Sequence, residues 1–126
     1  MSRYNKNLGD FGEDMAEAFV KEKGFIILER NYRKNTGEID IIAEDEKFLV
    51  FIEVKTRRDN SCGLPAEAVD VKKQAHLYKT AERYIQETLA EKEIRFDIIE
   101  VYARMVDGNP VVESINHIEN IILEAM

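Results

Sequence analysis

The sequence predicts an α/β fold, a mixed central sheet with helices flanking it. Three observations carry this. An apolar series at helical spacing opens the chain, three extended apolar runs follow with short polar connections, and a second helical series leads into two more extended runs. The predicted order is helix, three-strand meander, helix, strand, strand. A chain of 126 residues, 44% of them hydrophobic, suits one domain over residues 1–126 with a core of its own.

The first helix rests on Phe11, Met15, Ala18 and Phe19, with Gly24 placed as its stop. Glu13 lies off that stripe, on a second face with Gly9, Ala16 and Val20, whose small size lets another element come close. The extended runs are Phe25 to Tyr32, Glu38 to Glu44 and Phe48 to Arg57. The connections Lys34-Asn35-Thr36-Gly37 and Asp45-Glu46-Lys47 are short and polar, as an antiparallel meander needs. Asp59 to Pro65 is rich in breakers and reads as a loop, and Asp70 is placed to cap a long helix. Val71, Ala75, Tyr78, Ala81, Ile85 and Leu89 form its expected apolar stripe, with Gln74 on the same side. Strands are expected from Ile94 to Tyr102 and from Val111 to Ile118, around a turn at Asp107-Gly108-Asn109-Pro110. Glu119 to Met126 reads as a short helical turn.

A single cysteine, Cys62, excludes an internal disulfide framework and suits a reducing compartment. The first residues lead into no hydrophobic signal region and no run reaches membrane-spanning length, so the expectation is a cytoplasmic protein without a membrane partner. A net charge of −7 argues at first against nucleic acid. Residues 30–83, however, carry 11 basic and 10 acidic groups, and a metal would consume several of those acids. Charge permits a nucleic-acid partner without pointing to one.

The chemistry-bearing residues lie on the second and third runs. Side chains alternate along a strand, so Glu38 and Asp40 are expected on one face of one strand, and Leu49, Phe51, Glu53 and Lys55 on one face of the next. Two carboxylates roughly 5 Å apart repel by about 3 kcal/mol at an effective dielectric of about 20. A cation must offset that. Asp40 and Glu53 can each give an oxygen to one Mg²⁺ or Mn²⁺, with the Val54 carbonyl a third donor. Lys55, about 7 Å along the strand from Glu53, is placed to stabilise charge building on a phosphate.

This pattern resembles the PD-(D/E)XK nucleases of the restriction-endonuclease-like superfamily, with Asp40 as the aspartate and Glu53 and Lys55 as the (D/E)XK half. The whole chain more closely resembles the YraN family of small bacterial proteins. The residues that carry this are Gly9-Asp10-Phe11-Gly12-Glu13, Asn31-Tyr32-Arg33, Gly37-Glu38-Ile39-Asp40, Phe51-Ile52-Glu53-Val54-Lys55-Thr56-Arg57 and Arg95-Phe96-Asp97. The resemblance implies a restriction-endonuclease-like core and a metal-dependent endonuclease acting on DNA, with branched or structured DNA a substrate class it allows. Similar archaeal Holliday-junction resolvases imply Glu13 as an accessory metal ligand, and such nucleases often set a polar helix residue where Gln74 stands. The tail departs from the family, because Asn120 is followed by Ile121 and Ile122 rather than alanine and an aromatic residue. That bears on C-terminal packing or on a homodimer surface, and leaves the metal site untouched.

Blander readings compete. Glu53 and Lys55 alone make an ordinary ion pair worth about 0–1 kcal/mol. Glu38 is expected to brace the turn or a basic neighbour, and Asp97 to pair with Arg95 or the first helix. Arg33, Arg57, Arg58, Lys72 and Lys73 are candidate nucleic-acid contacts, with solvated surface the competing reading. Lys72 and Lys73 open a helix, where cations are disfavoured, which hints at a nearby anion. His76 and His117 make no metal spacing with Cys62, and Tyr78 and Tyr84 read as core. The alternative function is a catalytically silent nucleic-acid-binding or partner-binding module on the same fold. A third reading is a subunit of a repair or recombination assembly that docks through Ile118, Ile121 and Ile122.

Overall fold

The computed structural model describes residues 8–58 and 71–121. The expected loop from Asp59 to Pro65, Cys62, the Asp70 cap and the tail beyond Ile121 lie outside these residues. The elements run α1 (Leu8–Glu22), β1 (Ile26–Lys34), β2 (Gly37–Glu44), β3 (Phe48–Arg57), α2 (Val71–Thr88), β4 (Glu93–Val106) and β5 (Asn109–Ile118). The five strands lie in sequence order across one sheet. Strands β3 and β4 are parallel and the other neighbours antiparallel. A parallel pair needs a long crossover, and α2 supplies it.

Each helix covers one face. Phe11, Ala16 and Val20 of α1 pack with Ile41, Val50, Ile52, Val54 and Ile99. Leu77, Ala81 and Tyr84 of α2 pack with Ile39, Leu49, Phe51 and Phe96. Alternate residues of β3 thus feed opposite cores, which explains its unbroken apolar run from Phe48 to Ile52. This α/β arrangement of five mixed strands and two helices is compatible with a restriction-endonuclease-like core.

Both helices turn a slightly different face inward from the one periodicity predicts. On α1 the deepest residues are Phe11, Gly12, Ala16 and Val20, while Ala18 is exposed and Met15 and Phe19 are half-buried. The cause is the close approach at Gly12, where a Cβ would meet the Thr56 hydroxyl oxygen at 1.8 Å. On α2 the buried residues are Leu77, Thr80, Ala81 and Tyr84. Leu89 is 81% exposed because it sits just past the helix end in the left-handed region (φ 55°), where it points outward. The expected stop at Gly24 takes the same form. Its φ is 98°, and Phe25 and Gly24 donate back to the carbonyls of Val20 and Lys21, both at 3.0 Å. Glu119 to Ile121 form no helical turn, because Asn120 and Ile121 donate their N–H groups to Asp97 (2.9 Å) and to the Phe96 carbonyl (2.7 Å). Among the described residues, no helix is long and apolar enough to cross a membrane.

Candidate metal centre

The β1–β2 register shifts between Ile27 and Glu29, and the β4–β5 register between Tyr102 and Ala103. A further break in alternation makes the site. Arg30 pairs with Ile41 and Tyr32 with Ile39. Residues two apart normally share a face. Here Arg30 reaches the α1 acids and Ile41 joins the α1 core, whereas Tyr32 and Ile39 join the α2 core. The switch falls at Asn31, whose φ is 52°, and at Asp40 on the facing strand. The β2–β3 pairing runs from Glu44–Leu49 to Ile41–Ile52. One step further, Asp40 Oδ2 accepts the Val54 N–H at 2.8 Å. Its carboxylate therefore lies where the two strands part, against the backbone of the Glu53-Val54-Lys55 segment.

Glu53 is almost fully buried. Its Oε1 receives the Lys73 ammonium at 3.0 Å and lies 3.5 Å from the Lys55 nitrogen. Burial, the charge of Glu53 and smaller effects of Glu13 and Glu38 push the Asp40 pKa up to about 7, against the Val54 hydrogen bond. Burial and the adjacent Lys73 hold the Lys55 amine below the usual lysine range. Burial works against the charge on Lys73 too, but Lys55, Glu53 and Asp40 together raise its pKa. The repulsion expected of paired carboxylates is thus present and is answered by two lysines.

Gly37, Glu38, Asp40, Glu53, Lys73, His76 and Leu77 line a cavity of about 280 Å³. The structure brings Asp40, Glu53 and Lys55 together. Glu13 is near enough to raise the Asp40 pKa, yet its carboxylate is held by Arg30 at 3.3 Å, along with Asp14 and Glu17. Among the described residues no three His, Cys, Asp or Glu side chains are grouped as a metal would require. Two hard carboxylates facing a cavity with room for water still fit Mg²⁺ or Mn²⁺, because Mg²⁺ commonly takes one or two carboxylates and keeps several waters. Asp40 and Glu53 are the residues that would hold it.

The remaining candidates separate. Glu38 pairs with Arg33 at 3.2 Å, placing Arg33 at the cavity edge. Arg57 donates to Glu100 at 3.3 Å, and Glu100 is buried and also accepts from Tyr102 at 2.5 Å. Arg58 and Lys72 are exposed. Gln74 is half-buried beside Lys73 and does not line the cavity. Periodicity missed His76, although it stands one helical turn beyond Lys73 and so on the same side of α2. Asp97 is structural: its two oxygens accept from Nε and Nη2 of Arg95, each at 3.0 Å, and Oδ2 sits 2.7 Å from His117 Nε2. The His117 Nδ1 in turn meets Lys23 at 2.8 Å, which ties β4 and β5 to the end of α1. A larger cavity of about 600 Å³ on the α2 side is mostly apolar, lined by Tyr78, Ile85, Ile94, Phe96 and Ile121 among others.

Comparison with known proteins agrees over most of the chain. A model of the uncharacterised protein family UPF0102 matches residues 12–101. A UPF0102 protein of Clostridium botulinum (strain Loch Maree / Type A3) is 47% identical over 115 residues, covering 90% of this chain and 94% of its own. One of Clostridium acetobutylicum (strain ATCC 824) is 46% identical over 102 residues, covering 80% of this chain and 84% of its own. On this match the chain belongs to the UPF0102 family, which is the YraN family.

Proposed function

We propose that this protein is a metal-dependent endonuclease that hydrolyses phosphodiester bonds in DNA, with branched or structured DNA as its substrate class. One observation carries the reading. Asp40 and Glu53 come from separate strands to a single cavity, with the Lys55 amine beside them, where the sheet opens at Val54. A bound divalent cation supplies Lewis acidity toward a phosphate and acidifies water near neutral pH. Asp40 and Glu53 hold that cation, and the Val54 N–H fixes the orientation of the Asp40 carboxylate. Lys55 stabilises the negative charge that grows on the phosphate, an effect typically worth about 10²–10³ in rate per donor. The exposed Arg58, and Arg33 at the cavity edge, steer the backbone of the nucleic acid. Purified protein with Mn²⁺ is expected to nick DNA, and Asp40→Ala to abolish nicking. Equal nicking by the variant rejects the proposal.

The pairing of Glu13 with Arg30 favours a second reading, a nucleic-acid-binding or partner-binding module without chemistry, because it commits the accessory carboxylate to a protein partner. That module binds without divalent metal and through the Glu53→Gln change. Loss of all binding on chelation eliminates it. A role in repair or recombination, or as a homodimer, would draw on the face around Ile121.

A further inference from the structure

We infer that Lys73 acts as a resident counter-cation that holds the place of the metal at Glu53 and leaves when the metal arrives. The inference rests on the metal site proposed above and concerns a residue on α2 that the strand motif does not contain. Two ammonium groups address the same carboxylate oxygen. Lys55, on the strand, is the farther at 3.5 Å, and Lys73, on the helix, is the nearer at 3.0 Å. Their surroundings differ. Lys55 is short of freedom, with its side chain 18% exposed, whereas that of Lys73 is 42% exposed at the cavity wall. A lysine stem has four rotatable carbons and swings at little cost where one side is open to water.

The electrostatics require such a group. Asp40 and Glu53 are pressed together in a largely buried setting, and without a cation near them their repulsion strains the fold. Lys55 is one counter-charge for two carboxylates. Lys73 supplies the second, at the oxygen that a metal would take. A divalent ion and the Lys73 ammonium then compete for Glu53 Oε1, so the apparent metal affinity is the intrinsic affinity reduced by the work of displacing the lysine. The arrangement protects the apo fold and sets a threshold of metal concentration for loading. Its position at the start of α2, where the helix dipole disfavours a cation, is explained by the same contact.

The test is calorimetric titration of the full chain with Mn²⁺ alone, comparing wild type, Lys73→Met, Lys73→Gln and Lys72→Met. Lys72 is an exposed neighbour of equal charge and serves as the control for the general field. Both Lys73 variants are expected to bind Mn²⁺ about tenfold more tightly, and Lys72→Met within about twofold of wild type. In chelator the Lys73 variants unfold at lower urea than wild type, and Mn²⁺ restores them by more than it raises wild type. Binding unchanged or weakened in both Lys73 variants, or an equal shift in Lys72→Met, overturns the inference while wild-type binding leaves the metal site standing. Absence of Mn²⁺ binding in every protein overturns both, and binding only in the Lys73 variants supports this one directly.

Discussion

Asp40 Oδ2 and the Val54 N–H lie 2.8 Å apart, so a side chain completes the hydrogen bonding of β3 where the neighbouring strand has begun to leave. The same bond positions a carboxylate and fills a place in the sheet. Its two roles separate by substitution. Asp40→Asn keeps an acceptor for Val54 and removes a charge facing Glu53, so in chelator at pH 8 its urea midpoint should exceed that of wild type. Asp40→Ala leaves the Val54 N–H unmet and should fall below wild type by about 1–3 kcal/mol in the same unfolding measurement. Both should lose Mn²⁺ affinity.

The contact of α1 with β3 depends on a missing side chain. Gly12→Ala drives a methyl into the Thr56 hydroxyl, which stands 1.8 Å from the new Cβ. A loss of about 1–3 kcal/mol is expected from overpacking, read by urea unfolding. Thr56→Ala removes the offending oxygen, so the double variant should recover most of the loss, and additive losses would refute the steric account.

Acid stability should report on Asp97. Burial opposes its charge, but His117, Arg95 and the Asn120 N–H hold its pKa below the usual aspartate value. A carboxyl depressed on folding stabilises the native state at any pH above its unfolded pKa, about 3.9. That stability is lost as pH falls through the lower folded value. The advantage of wild type over Asp97→Asn is therefore expected to hold at pH 5, to begin to shrink near pH 4 and to disappear only below the depressed folded value, in a series of urea unfolding curves.

Arg57 illustrates how a candidate phosphate contact can be spoken for. Glu100 is 1% exposed and is bonded to Arg57 and Tyr102. Arg57→Met strands a buried carboxylate and is expected to cost about 3–5 kcal/mol, a loss that Glu100→Met added to it should largely reverse. Weaker DNA binding by Arg57→Met that the double variant does not restore would instead assign Arg57 to the nucleic acid.

The element order was legible because each strand and helix carries its own period, and the acids were legible because Asp40, Glu53 and Lys55 interrupt apolar strands. Which side each helix turns inward was not, since Gly12 against Thr56 and the exposed Leu89 are set by packing and by a helix end rather than by periodicity. The convergence of Asp40 with Glu53 depends on the break in alternation at Asn31, a left-handed residue that no repeat announces. Lys73 did leave a trace, as a cation at the wrong end of a helix. The Arg57–Glu100 and Asp97–His117 pairs join residues too far apart in sequence for any local pattern to link them.

The parallel join of β3 to β4 carries a kinetic consequence. The meander from β1 to β3 closes through short turns, whereas Phe48 can meet Glu93 only after the long stretch of chain between β3 and β4, α2 included, has been gathered in. The two strand acids are therefore expected to become neighbours early, and the helix bearing their relief to arrive late. Folding should accelerate on adding salt or Mn²⁺, which calm that early quarrel between carboxylates before the crossover closes.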